Sequence, residues 1–123
     1  MPGDFTDLLA WQEASALVGE VHAIVRRFKG IGAVQASEQL VAAAESITAN
    51  IVEGYGRGLG KDYCRFLPIA IGSAAEVEDR LYNAVSGNRI EREAVQAAIN
   101  RTRRARALTV GLLRWVERQV RGR

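Results

Sequence analysis

The sequence predicts an all-α protein, an antiparallel up-down bundle of four helices in one domain over residues 1–123, and three observations carry that expectation. Apolar residues recur at three and four in four separate stretches, and a step of about 100° per residue gathers each set into one stripe. Glycines interrupt the chain between the first three stretches and close the third. No stretch alternates apolar and polar residues at period two, as a half-buried strand would. With 48% hydrophobic and 25% charged residues, the 123-residue chain has the balance of an ordinary globular domain.

The first helix is expected from Leu8 to Phe28, with Trp11, Ala14, Leu17, Val18, Val21, Ile24, Val25 and Phe28 on its apolar stripe. Gly30 and Gly32 then break the chain. Leu40, Ala43, Ala44, Ile47 and Ile51 form the stripe of a second helix that stops near Gly54. Gly54, Gly56, Gly58 and Gly60 make a flexible turn, and Asp62 suits the cap or first turn of the third helix. That helix is expected to bury Tyr63, Phe66, Ala70, Ala74, Val77, Leu81 and Ala84 and to end at Gly87 and Asn88. Pro68 lies inside it, so either the helix kinks there or it begins later with Pro68 in its first turn; a kink is favoured.

The fourth helix, from about Glu91 to Val120, presents Val95, Ala98, Ile99, Thr102, Ala105, Thr109, Leu112 and Val116 on its core face. Leu108 and Trp115 add a flank about 120° away from the centre of that face, so the apolar surface is broader than docking into one bundle requires. A second apolar face of this kind suits a partner subunit. On the polar side Arg92, Arg103 and Arg114 are spaced so that each step of almost three turns moves them only about 20° around the axis. Arg118 and Arg121 extend this ridge. The net charge of +3 hides the asymmetry: residues 1–90 hold eight Lys and Arg against eleven Asp and Glu, whereas residues 91–123 hold nine Arg against three Glu. The basicity belongs to the last helix.

Several functions are excluded by what the residues lack. The longest stretch without charge, Phe66 to Ala75, is far shorter than the ~20 residues a membrane-spanning helix needs. An N-terminus with Asp4 and Asp7 and no basic then apolar run does not resemble a signal peptide, so a cytoplasmic protein is expected. Cys64 stands alone and reads as a small buried thiol, leaving no internal disulfide and no cysteine metal site. The run GYGRGLGK fails as a phosphate loop because Tyr55 stands where a glycine is needed and Asp62 follows Lys61 where Ser or Thr should. His22, the single histidine, sits at the edge of the first stripe as a partly buried packing residue, and no signature places a nucleophile beside it. Glu76, Glu78 and Asp79 lack the histidine three residues on that a bundle-core di-metal site uses. No catalytic residue, metal or cofactor is expected.

Asn50 and Glu53 ask for partners. An amide at the edge of an apolar stripe costs about 1 to 3 kcal/mol if unpaired, and an anion in the last turn of a helix opposes the macrodipole. Asn50, Glu53, Arg65, Ser73 and Glu76 are expected to form a polar seam between the second and third helices, with Arg65 the counter-ion of Glu53. A seam of this kind fixes register, the reading favoured over a ligand site.

At these residues the sequence resembles a known family. SITANIVEGYGRG, then KDYCRFLPIAIGS and AEVE, with Trp11, Gln12 and Ala14 in the opening helix, is similar to the bacterial four-helix-bundle proteins first met as reading frames in intervening sequences of 23S ribosomal RNA genes. The similarity spans about residues 5 to 116, and Thr48 stands where that family commonly has proline. The same family is similar to the accessory protein of diversity-generating retroelements. The resemblance implies a barrel-shaped homopentamer with affinity for nucleic acid and for a reverse transcriptase. Two functional readings stay open: a ring-shaped homo-oligomer that binds RNA or DNA backbone through Arg92, Arg103, Arg114, Arg118 and Arg121, and a homopentameric protein-interaction scaffold that binds no nucleic acid. In both, Leu108 and Trp115 belong to the subunit interface.

Overall fold

A computed structural model describes residues 4–56 and 60–122. The chain opens on a short 3-10 turn, Phe5–Asp7, which the apolar periodicity does not announce. Asp4 builds it: its side chain accepts from the Thr6 amide at 2.7 Å and from the Thr6 hydroxyl. Four helices follow, α1 (Leu9–Val25), α2 (Ala33–Gly56), α3 (Lys61–Ser86) and α4 (Arg92–Arg121), with no strand among the described residues.

Each helix buries the stripe its sequence spaces out. On α1 the innermost positions are Ala10, Ala14, Leu17, Val21 and Ile24, with Trp11, Val18 and Val25 half-buried on the flank. All five expected positions of α2 are buried. On α3 Leu67 is buried, whereas Phe66, an expected core position, is only half-buried. The helix continues unbroken through Pro68, which stands on an exposed face where an unbonded carbonyl one turn earlier costs least. Asp62 lies in its first turn and Gly60 holds the cap position. Seven of the eight expected core positions of α4 are buried, Leu112 being half-buried. Thr102 and Thr109 satisfy their buried hydroxyls by donating to the carbonyls of Ala98 and Ala105, both at 2.7 Å.

Packing relations fix the topology. The pairs in contact are α1 with α2 and α4, and α3 with α2 and α4; the diagonals do not touch among the described residues. Gln39 meets Arg80 and Ser46 meets Ser73, so α2 and α3 run antiparallel. Arg27 meets Glu91 while Glu13, far up α1, meets Arg104, so α1 and α4 do as well. At one end Gly30 and Gly32 adopt φ of +90° and +83°, conformations that favour glycine, and let Arg89 donate to the carbonyl of Ile31 at 2.8 Å. At the other end Gly54 gives room for Tyr63: a Cβ on Gly54 would lie 2.6 Å from the Tyr63 ring. Two sequence expectations change here. His22 is exposed rather than packed, since its position falls just outside the inner stripe, and Cys64 is half-buried.

Candidate nucleic-acid interface on the last helix

The arginines of α4 fall into two sets according to what lies opposite them. Arg101 reaches Glu20 and Glu13 of α1, and all three side chains are about 25–30% exposed. Its bond to Glu20, with that to Glu13, holds the guanidinium above its ordinary pKa against the pull of desolvation. Arg104 adds a longer contact to Glu13 at 3.5 Å. On the other flank Arg103 pairs with Glu78 at 3.0 Å and donates to the Tyr82 hydroxyl. The bond to Glu78 raises the Arg103 pKa. Arg103 therefore leaves the continuous ridge that spacing alone suggests: it is half-exposed but tied to α3.

The second set is free. Arg92, Arg114, Arg118 and Arg121 are exposed, and among the described residues none of them has a carboxylate in ion-pair range. Arg114, Arg118 and Arg121 follow one another at four and three residues and so share one side of the helix. Arg106, exposed beside Asp79 and Tyr82 in the shallow cleft between α3 and α4, joins them without a paired carboxylate. The end of α4 is free because its neighbour stops short. α1 starts at Leu9 beside Leu108 and Leu112, so the last two turns of α4 have no first helix alongside to supply acids.

The polar seam is smaller than its five expected members. Asn50 donates to the Ser46 carbonyl at 2.8 Å and to its hydroxyl at 3.1 Å, and that hydroxyl lies 2.8 Å from the Ser73 hydroxyl. Asn50 and Ser73 thus meet through Ser46, a residue the sequence reading omits although it stands one turn before Asn50. Glu76 turns outward to Arg80 at 2.7 Å. Arg65 is exposed, its guanidinium 5.1 Å from the centre of the Phe66 ring, and Glu53 is exposed at the end of α2. Leu108 and Trp115 are both half-buried against the chain's own core, with Leu108 facing the 63%-exposed Leu9 across a groove.

Among the described residues no three His, Cys, Asp or Glu side chains gather as metal ligands, and no helix is long and apolar enough to cross a membrane. What the chain offers to a partner is charge: an all-helical protein whose positive surface is concentrated on one helix and left unneutralised at that helix's end. It belongs to the 23S rRNA-intervening sequence protein family, whose model matches residues 6–111. No curated protein gives a clear match.

Proposed function

We propose that the protein is a non-enzymatic homo-oligomer that binds the phosphate backbone of nucleic acid through the free arginines of α4. The observation that supports this reading is the set of Arg114, Arg118 and Arg121 on one side of α4, exposed and, among the described residues, without carboxylate partners. Basic residues in a last helical turn, here Arg118 and Arg121, also stabilise the helix through its dipole, but that effect fades beyond the last turn, where Arg114 stands. Three in two turns leave charge to spare for phosphates, each of which a guanidinium can meet with paired hydrogen bonds. Arg92 at the other end extends the same reading, while Arg103 contributes only if it leaves Glu78.

The family's tie to a 23S rRNA gene favours RNA as the first target to test. The resemblance noted above favours a pentamer, in which the basic ends repeated around a ring would add their fields. Fluorescence anisotropy with a labelled RNA at low salt is the test. Binding that weakens steeply with salt and varies little with sequence is expected, because phosphate contacts carry no base information. Absence of association with RNA or DNA, single-stranded or duplex, leaves the interaction scaffold as the function.

A further inference from the structure

Charge is segregated between two helices that the bundle keeps apart. α2 carries Glu38, Glu45 and Glu53 and no Lys or Arg, whereas α4 carries eight Arg and two Glu. They sit on one diagonal and do not touch among the described residues. One chain therefore cannot neutralise its acidic helix with its basic one.

The outer face of α2 is also apolar where an outer face should be polar. Glu38, Val41, Ala42, Glu45, Ala49 and Val52 recur at three and four along it. Val41 packs the shallow depression with Glu38 and Glu45, and Ala49 and Val52 line a groove of about 550 Å³ against Phe5, Trp11 and Val18 of the opening turn and α1. Glu45 borders both. Glu38 and Glu45 are exposed and, among the described residues, have no cation in ion-pair range. A row of apolar positions at helical spacing edged by unpaired acids is the surface that accepts an amphipathic basic helix.

The same molecule presents such a helix. Arg104, Leu108 and Trp115 share one flank of α4; at its Arg104 and Leu108 end, next to α1, Leu9 adds exposed apolar surface and Arg104, 55% exposed, holds Glu13 only at 3.5 Å. We propose that this flank of α4 docks on the Glu38–Val52 face of α2 in a second copy of the chain, head to tail. The proposal rests on the oligomeric reading above and names its mating surfaces. Because the two surfaces differ, the contact is heterologous and each copy keeps one of each free for the next, which closes into a ring when the rotation allows. Arg114 and Arg121 lie roughly 100° around the helix from this flank and stay open to nucleic acid.

Light scattering on the full chain at micromolar concentration, with circular dichroism as the check on folding, tests the proposal. The parent should be an oligomer, and Glu38→Arg with Glu45→Arg should reduce it to a 13.4 kDa monomer, these side chains being exposed and free of internal ion pairs. Trp115→Glu should do the same from the other surface, and Leu9→Glu replaces it should the tryptophan variant lose its helices. Mixing the α2 variant with the α4-side variant should then give a two-chain complex and nothing larger, since one intact surface of each kind remains. A parent that is oligomeric but unmoved by Glu38→Arg and Glu45→Arg overturns the mating surfaces and leaves the oligomeric reading intact. A monomeric parent overturns both, and two monomeric variants that fail to pair overturn the head-to-tail contact.

Discussion

The middle of α4 and its last two turns are both rich in arginine, and those arginines have opposite fates. In the middle, Arg101, Arg103 and Arg104 face carboxylates on α1 and α3, because those helices run alongside and carry Glu13, Glu20 and Glu78 at the matching height. At the end, Arg114, Arg118 and Arg121 have outrun α1 and face none among the described residues. An arginine is therefore structural or available according to which helix stands opposite it. A guanidinium held by two part-buried acids clamps a bundle, and one with its donors in water is ready for a phosphate.

The largest effect on stability should come from the clamp. Arg101→Ala strands Glu20 and leaves Glu13 only its longer contact to Arg104, both at about 25–29% exposure, and a loss of about 2 to 3 kcal/mol in urea denaturation is expected, whereas Arg118→Ala should stay within about 0.5 kcal/mol of the parent. Equal effects at the two positions would erase the distinction. A slightly smaller loss, about 2 kcal/mol, is expected from Gly54→Ala, where the added methyl meets the buried Tyr63 ring at 2.6 Å and carries no charge at all. It calibrates how much of the clamp's effect is electrostatic, since salt should weaken the first and leave the second unchanged.

The smallest effect should come from Tyr63→Phe. The Tyr63 hydroxyl is buried without a hydrogen-bond partner among the described residues, so its removal should cost nothing and add up to about 1 kcal/mol. Burial pushes the phenol up from its ordinary 10.0, with the neighbouring Tyr55 adding to the shift. The fold thus favours the neutral phenol: this contribution to stability is present below pH 10 and is lost as pH rises above it. A spectrophotometric titration should show Tyr63 ionising only as the helices melt, and the phenylalanine variant should resist alkali better than the parent.

Much of the bundle is legible in the sequence because helical periodicity is local. The stripe Leu40, Ala43, Ala44, Ile47 and Ile51 needs only the 3.6-residue repeat to be found, and every member is buried. Partnership is not local. The wheel aligns Arg92, Arg103 and Arg114, but only the relative height of α3 and α4 sets Glu78 against Arg103 and, among the described residues, no carboxylate against Arg114. The same holds for the seam. Asn50 signals that it needs a partner, yet the bond runs through Ser46 to Ser73 because α2 and α3 meet at that level. One clue to the clamp was available: Glu13 and Glu20 stand seven residues apart on the edge of the α1 stripe, where two turns bring them to the same side. The 3-10 turn depends on one side chain, Asp4, and has no periodicity to betray it.

The division of α4 is tested most directly by the salt dependence of RNA binding in two double variants. Each contact to a single-stranded phosphate contributes about 0.7 to the slope of log affinity against log salt. Arg114→Gln with Arg118→Gln should therefore lower the magnitude of that slope by about 1.4 for each subunit engaged. Arg103→Gln with Arg104→Gln, which removes the same formal charge from the paired region, should lower it by much less. Equal reductions in the two variants, or a larger one from the middle of the helix, would contradict the account.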